Sequence, residues 1–166
     1  MLRLFKNLTT TNKVKNIDFT ICSPLAGTVT NLSEVNDPVF AKEVMGKGIA
    51  IIPTVGRVVA PCSGSVINVF RTLHAITIKA DNGAEIIIHV GLETVSLGGK
   101  HYEIHVQDEM RIKKGDLLLT FDIDAIKALG YDIITPIVIT NSTEFHKIEN
   151  VSKKIINFGD LLINLA

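Results

Sequence analysis

The chain has 166 residues, with 17 Lys and Arg against 17 Asp and Glu, for a formal net charge of zero. That length suits one compact domain that buries its core without disulfide or metal staples. Balanced charge excludes the basic excess of a nucleic-acid binder and the acidic excess of a solvating tail, so any partner surface must be local.

Residues 1–16 differ in kind from the rest: polar and basic after a small apolar cluster, with no acidic residue before Asp18. They read as a mobile N-terminal tail. Within it, Leu4, Phe5 and Leu8 with Arg3 and Lys6 would form a short amphipathic turn, able to make weak contact with an anionic membrane. No apolar run approaches the roughly 20 residues of a membrane span, and Met1–Lys6 lacks the apolar core of a signal peptide. A cytoplasmic domain over residues 17–166 is the expectation.

From Ile17 onward nearly every segment is a short β-branched run ended by a turn: 48–52, 57–60, 65–70, 75–79, 85–90, 117–121 and 137–140. Such spacing predicts an all-β fold. One helix is expected, capped by Asp124, with Ile126 and Leu129 inward and Gly130 ending it. Two echoes suggest duplication. Ser23-Pro24-Leu25-Ala26-Gly27-Thr28-Val29 resembles Ala60-Pro61-Cys62-Ser63-Gly64-Ser65-Val66, and Gly115-Asp116-Leu117-Leu118 returns as Gly159-Asp160-Leu161-Leu162. The fold expected is an antiparallel β-sandwich or barrel of duplicated β-units packed face to face, of the barrel-sandwich hybrid type, with little helix. Cys22 and Cys62 stand in no CxxC pair and read as small buried apolar residues.

Two of the five histidines carry a geometric argument. Residues 72–79 and 85–90 flank Asp81-Asn82-Gly83, a hairpin signal. A two-residue loop at 81–82 would set His74 opposite His89, and one at 82–83 would make them diagonal neighbours. Either even loop puts both imidazoles on one face, whereas a three-residue loop would change the parity and separate them. Neutral imidazole is nucleophilic near pH 7, and phosphoryl transfer asks mainly for positioning and for hydrogen bonds to spread charge. One imidazole could attack while its neighbour donates N–H, with Thr72 orienting His74. Spacing alone leaves two other readings open, ordinary structural histidines and half of a zinc site.

Local motifs are more specific. Asp37-Pro38-Val39-Phe40-Ala41, Gly46-Lys47-Gly48-Ile49-Ala50-Ile51, Thr72-Leu73-His74-Ala75, Ile88-His89-Val90-Gly91-Leu92-Glu93-Thr94-Val95 and Thr135-Pro136-Ile137-Val138-Ile139-Thr140-Asn141 together resemble the IIA domains of the glucose family of the sugar phosphotransferase system. The similarity runs from about residue 17 to 165 in matching order. It implies a phosphoryl carrier in which His89 takes the phosphate, His74 assists transfer, Thr72 hydrogen-bonds near the pair and the Gly91 carbonyl orients the ring. It implies the phosphocarrier protein HPr as donor and a cysteine of a permease IIB domain as acceptor, with regulatory use of the phosphorylation state compatible with transport. No cofactor is implied; zinc would enter only at an intermolecular site shared by His74 and His89. Glu93 stands where many members carry Asp, His101 at a usually small position and Tyr102 where Phe is common.

A carrier that meets two unlike partners favours an apolar patch around its nucleophile. The candidates, in the segments that the resemblance places beside the histidines, are Val39, Phe40, Val44, Met45, Phe70 and Ile87. Ile87 shares the face of His89 by alternation, while Phe40 and Phe70 also fit a core. Two competing functions are a zinc hydrolase built on His74, His89 and His101 or His105, and a lipoyl- or biotinyl-type carrier, for which Met45-Gly46-Lys47 is a poor attachment motif.

Overall fold

The structure, a computed structural model, describes residues 16–166, so the expected N-terminal tail and its membrane contact lie, apart from Asn16, outside the described residues. Short strands dominate. The first half of the chain forms β1 (Thr20–Cys22), β2 (Gly27–Thr30), β3 (Lys47–Pro53), β4 (Arg57–Val59), β5 (Gly64–Val69), β6 (Ala75–Ala80) and β7 (Glu85–His89). The second forms β8 (Tyr102–Ile104), β9 (Arg111–Ile112), β10 (Leu117–Phe121), β11 (Thr135–Ile139), β12 (Ile148–Asn150), β13 (Ile155–Ile156) and β14 (Leu161–Leu165). The α-helices among the described residues are α1 (Pro38–Ala41) and α2 (Ile123–Ala128).

The strands make one eight-stranded sheet, in the order β13-β2-β3-β11-β7-β6-β5-β9, and two three-stranded sheets, β1-β14-β12 and β4-β10-β8. This corrects the expected barrel. The large sheet is open, with the two-residue strands β13 and β9 at opposite edges and no ladder between them. Nor do the echoed segments head two opposed units, because β2 and β5, which follow the two echoes, lie in the same sheet. The echo is local. Ser23 exchanges backbone hydrogen bonds with the Gly159-Asp160 turn at 2.7 and 3.0 Å, and Ala60 does the same with Gly115-Asp116 at 2.8 and 2.9 Å. Each Gly-Asp turn thus secures the residue just before a proline.

Both faces of the large sheet are covered, which is why its central strands read as nearly continuous apolar runs. One face sends Ile49, Ile51, Ile76, Ile78, Ile86, Ile88, Ile137 and Ile139 into the main core, against Ile21, Val58, Leu119, Phe121 and Ile163 of the small sheets. The other face carries a smaller cluster of Ala50, Ile87 and Val138 under Leu32, Val35, Phe40, Leu92 and Ile134. Glu85 begins β7 and His89 ends it, and alternation puts His89 on the smaller cluster's side with Ile87.

The helix α2 begins earlier than its sequence suggested. Asp122, rather than Asp124, is the cap, its carboxylate accepting from the Ala125 amide at 3.0 Å. Ile126 is buried as expected, but Leu129 is 54% exposed, because the helix ends at Ala128 and Leu129 falls past its last turn.

Candidate functional site: a histidine pair on the outer face

The hairpin that carries the pair has a three-residue loop. Ala80 and Ala84 close it, Ala80 donating its amide to the Ala84 carbonyl at 2.8 Å, and Gly83 takes the left-handed position with φ of 96°. The ladder accordingly sets Ala75, not His74, opposite His89. On a regular strand that parity would part the imidazoles, yet their ring centroids are 4.7 Å apart, nearly perpendicular at 83°. The reason lies outside the ladder. β6 begins only at Ala75, and His74 follows Leu73, whose φ is 57°, in the turn from Phe70 to Ala75. A left-handed residue breaks the two-residue alternation, so His74 is free of the rule that governs β6.

Each imidazole has one nitrogen engaged. His89 Nδ1 lies 2.8 Å from the Gly91 carbonyl oxygen. A carbonyl only accepts, so Nδ1 carries the hydrogen and the neutral ring leaves Nε2 with its lone pair. His74 Nδ1 lies 2.7 Å from Thr72 Oγ1. When the hydroxyl donates, Nε2 of His74 becomes the N–H donor. The two rings therefore offer complementary groups, one lone pair and one donor.

Phe40 stands 5.1 Å from the His89 ring and Phe70 edge-on at 5.7 Å from that of His74, so the imidazoles sit between two phenyl rings. His74 is 3% exposed and His89 partly buried. Burial pushes the pKa of His74 down to about 4, helped by the neighbouring His89 and opposed by the backbone of Thr72. Burial also lowers the pKa of His89, against the Gly91 carbonyl and the Asp37 carboxylate, which favour its charged form. At pH 7 both rings are neutral, the state a nucleophile and a hydrogen-bond donor require.

The turn after β7 is tightly constrained. Gly91 has φ of 81°, and a Cβ there would lie 2.6 Å from Thr94 Cγ2 and 2.8 Å from the Asp132 carbonyl. Leu92 donates its amide to that same carbonyl at 2.9 Å. Glu93 is exposed, with φ of 58°, at the head of a 3-10 turn over Thr94–Leu97, and its side chain makes no capping bond.

The expected docking residues divide by depth. Val39 and Val44 are 42% and 71% exposed, whereas Met45 and Phe70 are partly buried. Phe40 and Ile87 are each only 3% exposed. Alternation put Ile87 on the right face, but α1 and the segments around it roof that face, so Ile87 and Phe40 back the site from below. Val95, 53% exposed in the turn after Glu93, is an apolar surface residue missing from the expected set. Asp37, Thr94, Tyr102 and Asp132 are also supports that spacing did not single out; all act on the turn or ring through pairings distant in sequence or through the backbone.

The competing metal reading finds no third ligand here. Among the described residues no group of three or more His, Cys, Asp or Glu could hold a metal ion. His105 is exposed and pairs with Thr120 at 3.1 Å. The cysteines are free and buried, and burial pushes the Cys62 thiol up to about 12.

A family model described as phosphoenolpyruvate-dependent sugar phosphotransferase system, EIIA 1, matches residues 19–145. The chain belongs to that family. It is an EIIA-type phosphoryl-carrier domain, 40% identical over 157 residues to the glucose-specific EIIA component of Oceanobacillus iheyensis, an alignment covering 95% of each. It is also 52% identical over 135 residues to the β-glucoside-specific EIIBCA component of Dickeya chrysanthemi, which spans 81% of this chain but 21% of that protein. The chain thus spans about a fifth of the length of the EIIBCA relatives it matches. The solved glucose permease IIA from Mycoplasma capricolum superposes with a TM-score of 0.81 at 35% identity, over 89% of this chain and 96% of that one. Relatives of this EIIA domain carry glucose, β-glucoside and mannose in their names, so membership selects no sugar. No helix among the described residues is long and apolar enough to cross a membrane.

Proposed function

We propose that this EIIA domain accepts a phosphoryl group on Nε2 of His89 and passes it to a partner, with His74 as transfer assistant. The observation that carries this is the hydrogen bond of His89 Nδ1 to the Gly91 carbonyl, which leaves Nε2 as the free lone pair. In the step, the Nε2–phosphorus bond forms as the bond from phosphorus to the donor breaks, and the electron pair returns to the donor. The positive charge that develops on the ring is carried by Nδ1–H, where the Gly91 carbonyl stabilises it. His74, oriented by Thr72, donates Nε2–H to the equatorial oxygens as their charge spreads. The reverse geometry serves the second transfer.

The donor in this reading is HPr and the acceptor a cysteine on the IIB domain of a sugar permease, both meeting the domain on the cytoplasmic side. Val39, Val44, Val95 and the partly buried Met45 and Phe70 form the apolar docking rim, with Asp37 and Glu93 beside it. No cofactor takes part. Phosphate adds about −1.5 to −2 charge at His89, which opposes renewed docking of a phosphorylated donor and favours release.

Incubation with phosphoenolpyruvate, enzyme I and HPr, followed by intact mass under non-acidic conditions, tests the reading. One acid-labile phosphate is expected on the wild type and none on His89→Ala. His74→Ala is expected to accept phosphate and to pass it on poorly. A wild type that takes no phosphate from a competent donor overturns the proposal.

A further inference from the structure

Val90 joins the two halves of the site without touching a reacting atom. Its amide donates to the His74 carbonyl at 2.7 Å. Its carbonyl accepts from Thr94 Oγ1 at 2.7 Å and from the Tyr102 hydroxyl at 2.9 Å. A peptide carbonyl has two lone pairs, and here each has a donor. Val90 and Thr94 are 0% exposed and Tyr102 is 8% exposed, so water does not replace either bond. The peptide from Val90 to Gly91 is thereby held at its oxygen. The next residue, Gly91, must turn with φ of 81° to bring its own carbonyl back onto His89 Nδ1. The Thr94 methyl closes on Gly91 from the other side, at the point where a Cβ would collide with it.

We propose that Thr94 and Tyr102 are positioning residues for His89: by filling the Val90 carbonyl they hold the Val90–Gly91 turn so that the Gly91 carbonyl keeps Nδ1 protonated and Nε2 free. Its consequence for transfer rests on His89 being the phosphoryl acceptor, but the tautomer it sets exists in the unphosphorylated protein. The two hydroxyls share one acceptor. Loss of one leaves the carbonyl with a partner, whereas loss of both leaves a buried oxygen without a donor, and the turn relaxes to find one. The effect of removing both therefore exceeds the product of removing each.

The experiment uses the whole chain as Tyr102→Phe, Thr94→Val, Thr94→Ser and the Tyr102→Phe/Thr94→Val double variant. Long-range proton–nitrogen NMR reads the His89 tautomer, and intact mass reads the rate of phosphoryl acceptance from phospho-HPr. The wild type is expected as the Nδ1–H tautomer. Each loss of one hydroxyl is expected to slow acceptance about two- to tenfold, the range one hydrogen bond spans. The double variant is expected to fall about a hundredfold or more, as for a misplaced reacting group, with signals of the Nε2–H tautomer. Thr94→Ser, which keeps the hydroxyl, is expected to retain the wild-type tautomer.

A folded double variant with wild-type nitrogen shifts and an acceptance rate within about twofold, less than one hydrogen bond is worth, overturns the proposal. So does a Thr94→Ser protein that takes up phosphate as slowly as Thr94→Val. If the double variant does not fold, the Thr94→Val and Thr94→Ser pair decides. A wild type that takes no phosphate removes the carrier reading alone, since the tautomer comparison still decides the positioning role.

Discussion

At pH 7 the paired imidazoles are uncharged because burial denies them the water that would solvate a cation. For His74 the consequence extends to stability. An unfolded histidine titrates near 6.5, while His74 in the fold holds out to about 4. Below 6.5 the unfolded chain binds a proton that the folded one refuses, so stability falls as pH drops from 6.5 toward 4 and is flat above that window. Between pH 7 and 5 the loss from this residue is about 2 kcal/mol. Urea unfolding across that range is expected to show it, and His74→Asn is expected to flatten the slope; an unchanged slope would place the titration elsewhere. Gly91 is the second residue-scale test. Gly91→Ala forces a side chain into positive φ and against Thr94 and the Asp132 carbonyl, a cost of about 1–3 kcal/mol with slowed phosphoryl acceptance. Gly98→Ala is the control: its φ of 59° carries the same kind of strain, but nothing lies within 4 Å of the new methyl. A Gly98→Ala protein as slow as Gly91→Ala would remove the packing argument.

Among elements, the four-residue helix α1 bears most directly on the site. Asp37 caps it, accepting from the Val39 amide at 2.9 Å, and Pro38 opens the helix. That fixes Phe40 over the His89 ring, while the same carboxylate favours the charged form of His89. Cap and charge separate by substitution. Asp37→Asn keeps an acceptor for the cap and removes the charge; Asp37→Ala removes both. Both variants are expected to lower the His89 pKa further, read by proton NMR titration, and only Asp37→Ala to lose about 1 kcal/mol in urea unfolding. Equal stability of the two would show that the cap contributes little. The hairpin between β6 and β7 shows where element-level reading reached its limit. The alternating runs and the Asp-Asn-Gly turn were plain in the residues, but loop length was not, since Gly83 serves a two-residue or a three-residue loop equally well. The rings still meet, through a left-handed Leu73 that no periodicity announces.

Over the whole molecule, the eight-stranded sheet separates stability from chemistry. Ile88 and His89 are neighbours in sequence on opposite faces, one in the main core and one in the site. Ile88→Ala is expected to cost about 2–5 kcal/mol of unfolding free energy while the folded protein still takes up one phosphate; loss of acceptance in a folded Ile88→Ala protein would show that the faces are coupled. Strand positions, the Gly-Asp echoes and the family motifs were legible in the residues alone, because β-branched runs, turn glycines and the neighbours of His89 are each set within a few positions of chain. What packing alone decided is long-range. Whether the sheets close depends on pairing between edges such as β13 and β9, far apart in sequence. Whether Ile87 and Phe40 reach the surface depends on α1 and its flanking segments lying over the outer face. And the turn whose Gly91 carbonyl meets His89 Nδ1 is held not only by Thr94 within it but by Tyr102 and Asp132 from beyond it, and those two partners no local pattern of side chains encodes.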